Sequence, residues 1–139
     1  MWKETLQRVL HNSQKNSSLK NAKKMHIGHW AEKATSEYLQ RQGLTLETCN
    51  FNCQLGEIDL IMRDGNQLVF VEVRFRKNTH YGSAIESVGI QKQKKIIKAA
   101  QCYLLEKKAP QTLSCRFDVM GVNITNGIPY FEWIKNAFY

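Results

Sequence analysis

At 139 residues, with 42% hydrophobic and 10% aromatic side chains, the chain suits one domain with a modest core and is too apolar for a disordered segment. No apolar run approaches the roughly 20 residues of a membrane span, and the N-terminus lacks the apolar stretch of a secretory signal, so a cytoplasmic protein is expected. The net charge of +8, from 20 Lys and Arg against 12 Asp and Glu, fits a polyanionic partner, although an ordinary solvated basic face carries such a charge too.

Residues 1–25 read as a basic N-terminal arm. Residues 13–24 are polar with no sustained apolar period, and Trp2, Leu6, Val9 and Leu10 ahead of them allow a short helix. Residues 26–139 read as a single domain. The spacing of Ile27, Trp30, Ala31, Ala34 and Tyr38 predicts a helix that closes near Gly43. Glu32 borders this stripe, where a carboxylate reaches a site or meets solvent. A strand is expected over Thr45 to Phe51 and a β-hairpin over residues 56–74, followed by a turn-rich connection from Lys77 to Gly82. A long helix from Ile90 to Lys107 carries Ile96, Ile97, Ala100, Tyr103 and Leu104 on one face and Lys92, Lys94, Lys95 and Lys98 as a basic ridge. Two more strands, Leu113 to Val122 and Ile128 to Ile134, flank an Asn126-Gly127 turn, and Pro129 favours a sheet edge for the last. The order helix, three strands, helix, two strands points to an α/β domain with a mixed sheet of about five strands and helices on both faces. Strand order is not readable from it.

The hairpin is the most informative stretch. Ile58, Leu60 and Met62 alternate on one arm and Val69, Val71, Val73 and Phe75 on the other, around Asp64-Gly65-Asn66. With Gly65-Asn66 as the loop, Asp59 falls opposite Glu72 and Glu57 opposite Arg74; an Asp64-Gly65 loop keeps all four on one face, and a three-residue loop would break this. Acids facing one another repel, so a cation, a basic side chain or solvent must offset the cost. Carboxylate oxygens suit a hard divalent ion such as Mg²⁺. The alternative is a salt-bridged hairpin in which Arg74 neutralises Glu72.

Basic residues concentrate in two segments: six in residues 1–24, and seven in residues 74–98 directly after the acidic hairpin. A polyanion and its metal together require that juxtaposition. The four cysteines, Cys49, Cys53, Cys102 and Cys115, show no two-residue spacing, and reduced thiols are expected. A zinc site would need His26, His29 or His80 to converge on them, without the usual ligand grammar.

Gly56-Glu57-Ile58-Asp59-Leu60-Ile61, Leu68-Val69-Phe70-Val71-Glu72-Val73-Arg74 and Arg116-Phe117-Asp118-Val119 together resemble the YraN-like family of small bacterial proteins. That family's fold belongs with the PD-(D/E)XK, restriction-endonuclease-like nucleases. The resemblance covers about residues 26–123, with Trp30 and Ala31 as further matches. It implies a metal-dependent nuclease or nuclease-like protein acting on DNA, branched or junction DNA included, with Mg²⁺ or Mn²⁺ as cofactor. It further implies that Asp59 and Glu72 bind the metal with the Val73 carbonyl, that Glu32 is a helix-borne third acid holding the metal with them, and that Arg74 stands at the motif's lysine position. Glu32, Asp59, Glu72 and Arg74 are therefore the candidate catalytic residues, and Arg76, Lys77, Gln91, Lys92 and Lys95 the candidate DNA contacts. Arginine at position 74 departs from the pattern, because it stays charged and can clamp but not exchange a proton. The competing function is a non-catalytic nucleic-acid-binding module on the same scaffold. A weaker third reading makes Trp133, Phe138 and Tyr139 a protein-docking patch. No oligomeric state follows from the residues, and a homodimer is compatible with them.

Overall fold

In the computed structural model, which describes residues 17–77 and 82–139, the first element is α1 (Ser17–Arg41). Residues 17–24, expected to belong to a polar arm, are thus helical. Leu19, Lys20, Ala22, Lys23 and Lys24 are good helix formers with no Gly or Pro among them, and propensity extends the helix beyond its apolar stripe. The rest of the expected arm, residues 1–16, lies outside the described residues. The helix stops where Leu44 N–H bonds back to the Leu39 carbonyl at 3.1 Å, one residue past Gly43, as expected.

Five strands follow as one sheet in the order β1-β2-β3-β4-β5: β1 (Thr45–Cys53), β2 (Gly56–Asp64), β3 (Gln67–Phe75), β4 (Ser114–Thr125) and β5 (Ile128–Phe138). All neighbours are antiparallel except β3 and β4, which run parallel. A parallel pair needs a crossover, and the basic helix α2 (Ile90–Glu106) supplies it after a 3₁₀ turn at Ala84–Ser87. The sheet is therefore mixed and the fold α/β, as the element order implied. Pro129 stands on β5, an edge strand, where its missing N–H costs no ladder bond.

Each face of the sheet has its own core. Toward α1, Leu60, Met62, Val69, Val71, Met120 and Val122 pack with Ala31 and Leu39. Toward α2, Ile61, Leu68, Phe70 and Val119 pack with Ile96, Ala99, Ala100 and Tyr103. One alternation departs from expectation: Ile58 joins the α2-side core instead of the side holding Leu60 and Met62. Its partner on β1 is Phe51, which packs on the α2 side as well; between this pair and the pairing of Cys49 with Leu60, Asn50 takes a positive φ of 53° and the β2–β3 ladder has ended, so the alternation is broken here. Gly56 opens β2 against that helix; a Cβ there would stand 2.7 Å from the Lys95 carbonyl oxygen. The chain end completes both cores: Phe138 stacks on Phe117 at 5.1 Å, and Trp133 meets Tyr38 edge-on at 6.4 Å. Only Tyr139, 92% exposed, remains of the expected aromatic patch.

Candidate functional site

The hairpin loop decides which acids meet. Asp64 pairs with Gln67, so the loop is Gly65-Asn66, and Gly65 takes the positive φ of 59° that a tight hairpin turn needs at its first central position. The ladder runs to Leu60 and Val71. One residue further along each strand stand Asp59 and Glu72. In place of another ladder bond, Asp59 Oδ2 accepts the Val73 N–H at 2.8 Å.

Glu72 is only 4% exposed. Arg74 Nη1 lies 3.6 Å and Lys92 Nζ 3.7 Å from it, and both address the same oxygen, Oε1. Its other oxygen, Oε2, is buried without a hydrogen-bond partner. The Asp59 side chain stands within hydrogen-bond reach of Glu72. Two carboxylates are both acceptors, however, so only a shared proton or a cation makes that approach favourable. Burial, and then the neighbouring Asp59 charge, push the Glu72 carboxyl up to about 8 against the pull of Lys92 and Arg74. Burial raises Asp59 as well, opposed first by the Val73 N–H.

The third acid comes from α1. Glu32 is partly buried, its carboxylate 3.9 Å from His29 Nδ1. Burial and the Asp59 charge raise its pKa, while a hydrogen bond with Asn50 on β1 lowers it. Helix and hairpin thus bring Glu32 into the electrostatic neighbourhood of Asp59. Among the described residues no three His, Cys, Asp or Glu side chains converge closely enough to hold an ion; the close set is a pair, with Glu32 beside it. That pair still suits a hard divalent cation: it offers oxygen alone, one oxygen lacks any donor, and Mg²⁺ commonly takes just one or two protein carboxylates.

Arg74 is anchored, with Nη2 donating to the Ser87 carbonyl at 2.7 Å and Nε to Ser87 Oγ at 3.2 Å. The 3₁₀ turn carrying Ser87 packs so closely on β4 that a Cβ at Gly121 would meet the Ala84 methyl at 2.6 Å. Lys92 sits in the first turn of α2, so the crossover helix delivers a cation to the acids.

The remaining expected contacts divide. Gln91 and Lys95 are exposed on α2 and Lys77 beyond β3, on surface open to a ligand. Arg76 turns inward, donating to the Gly82 carbonyl at 2.9 Å and lying 3.9 Å from Glu132. A cleft of about 600 Å³ lies at the other end of α2, lined by Arg63, Tyr103, Lys107 and Lys108, away from the acids.

Ser87 and Asn50 carry no signal in the sequence, because their roles arise from contacts between distant segments. Asp118, part of the motif that suggested the family, proves structural. Fully buried, it accepts bonds from Arg116 Nε at 3.1 Å, Trp133 Nε1 at 2.9 Å and Asn136 N–H at 2.9 Å, stitching β5 across the register shift between Phe117 and Val119.

A UPF0102 protein of Vibrio cholerae serotype O1 is 48% identical over 113 residues, spanning 81% of this chain and 91% of that protein. One from Saccharophagus degradans is 50% identical over 117 residues, 84% of this chain and 96% of the relative. One from Nitrosococcus oceani is 45% identical over 111 residues, 80% and 90% of the two chains. The model of the family described as Uncharacterised protein family UPF0102 matches residues 31–122, a stretch that holds Glu32, Asp59, Glu72, Arg74 and Lys92. With the fold and the acidic hairpin inside the matched region, the chain belongs to the UPF0102 family, the YraN-like group its residues suggested.

Proposed function

We propose that this protein is a divalent-metal-dependent nuclease acting on DNA, branched forms included, built on the PD-(D/E)XK plan. One observation carries the reading: two acids meet at the end of a buried ladder with Glu72 Oε2 lacking any donor, an arrangement that a cation relieves. Asp59 and Glu72 would hold Mg²⁺ or Mn²⁺, with the Val73 carbonyl as a further oxygen and Glu32 adding negative charge. Such an ion, when bound, supplies Lewis-acid polarisation of a phosphoryl oxygen and a water of lowered pKa. Arg74 remains cationic throughout and, braced by Ser87, holds a phosphate oxygen and stabilises charge gathering on it. Lys92 adds a second cation on the same side, and Gln91 and Lys95 extend the exposed surface for the flanking backbone.

Junction, flap and single-stranded DNA incubated with Mg²⁺ or Mn²⁺ test this reading. Metal-dependent cleavage is expected, and Glu72→Ala should lower the rate by at least about 100-fold, the usual scale for losing a main electrostatic element of a site. Cleavage that survives Glu72→Ala, or none on any substrate, overturns it. A second reading, a binding module without the reaction, is favoured by the two cations already beside Glu72. It gives DNA binding that is unchanged by metal and by Glu72→Ala.

A further inference from the structure

Away from the acids, β1 ends against the middle of α2. The Phe51 and Tyr103 rings meet at 5.2 Å, Gly56 approaches the Lys95 backbone, and Cys53 packs into the α2-side core. Cys53 is the last residue of β1 and Cys102 precedes Tyr103 on α2, so the same packing brings their thiols close enough to shift one another's titration. Both sulfurs are free and both residues only half-buried.

We propose that Cys53 and Cys102 form a peroxide-responsive dithiol that closes to a disulfide, locking α2 to the β1–β2 turn. Their environments differ. Burial acts to raise the Cys53 thiol, but the Cys102 thiol and the N–H groups of Leu55 and Gly56 outweigh it, and the net shift is downward. Cys102 shifts upward, first through its bond to Cys53 and then through burial. Cys53 is therefore the attacking sulfur and Cys102 the resolving one. The Cys53 thiolate attacks one oxygen of hydrogen peroxide, the O–O bond breaks, and hydroxide leaves with Cys53 as the sulfenic acid. Cys102 then attacks that sulfur; the S–S bond forms, the S–O bond breaks, and hydroxide leaves to take up the Cys102 proton. Two thiols lose two electrons and one peroxide becomes two waters. The closed loop, residues 53–102, contains Asp59, Glu72, Arg74 and Lys92, so the lock fixes the helix that carries Lys92 relative to both acids. It does not rest on the nuclease reading.

The full-length protein, treated with hydrogen peroxide and mapped by non-reducing peptide mass spectrometry, tests this. A Cys53–Cys102 linked peptide is expected, with the free-thiol count falling from four to two per chain and returning with dithiothreitol. The melting temperature should rise by roughly 10 °C on oxidation, the usual order for a bridge closing a loop of about 50 residues. In Cys102→Ser, dimedone should trap Cys53 sulfenic acid; in Cys53→Ser, Cys102 should stay unmodified at the same dose. Cys102→Ala repeats the trapping if the serine variant is poorly folded. Linkage through Cys49 or Cys115 instead, or a melting temperature that falls on oxidation, overturns the proposal.

Discussion

Glu72 carries most of what is distinctive at the residue scale. Its carboxyl titrates near 8 in the fold against an ordinary 4.5, so between those values the folded state holds a proton that the unfolded chain has lost. Stability of the metal-free protein should therefore fall as pH rises from about 5 to 8. Thermal melts across that range test the sign, and Glu72→Gln, which cannot ionise, should flatten the slope. If a divalent ion binds the deprotonated pair as proposed, Mn²⁺ affinity measured by calorimetry should rise over the same interval and be lost in Asp59→Ala. Equal binding by wild type and Asp59→Ala would end the site assignment while leaving the fold untouched. Asp118 makes the contrasting case of a buried carboxylate fully supplied with donors. Asp118→Ala strands Arg116, leaving Asp64 at 3.0 Å as its remaining acid, and should cost about 3–5 kcal/mol in urea unfolding.

Among elements, α2 has two functions. Its apolar face closes the core beneath β1 and β2, and its first turn brings Lys92 to Glu72. The contact that seats it is the close approach at Gly56. Gly56→Val would drive a side chain into the Lys95 carbonyl, which cannot retreat without moving the helix, and a loss of about 1–3 kcal/mol is expected from urea unfolding. Because the displaced helix carries Lys92, the proposed metal-dependent cleavage should fall as well, with no charged group removed. A Gly56→Val protein of unchanged stability would mean that helix and turn are less tightly engaged than the packing implies. The helix boundary at Ser17 illustrates a different balance, in which residue propensity lengthens α1 past the apolar spacing that begins at Ile27.

Over the whole molecule, positive charge is uneven. Exposed Lys94, Lys95 and Lys98 lie on the same helix as Lys92, which reaches Glu72, and exposed Lys77 follows β3. If phosphate backbones are gripped there, log affinity for duplex or junction DNA should fall linearly with log salt, by about 0.9 per phosphate contact. Replacing Lys94, Lys95 and Lys98 with Gln should shallow that slope by roughly 2–3 while leaving any base preference unchanged. An affinity indifferent to salt would remove backbone contact as the mode of binding. None of the described helices is long and apolar enough to cross a membrane.

Much of this architecture was legible before any coordinates. Period-two alternation, a two-residue turn around Gly65 and apolar spacing in the helices are local rules, and they put Asp59 and Glu72 on one face of the hairpin and named the strands, the second helix and the edge proline. They failed where contacts join distant segments. The parallel pairing of β3 with β4, the irregularity at Asn50 that puts Ile58 on the other face, the Ser87 brace on Arg74, the inward turn of Arg76 and the approach of Cys53 to Cys102 depend on how layers pack. The charge state of Glu72 belongs with them: a carboxyl group is the same in any sequence, and only burial beside a second acid without a donor gives it an unusual titration.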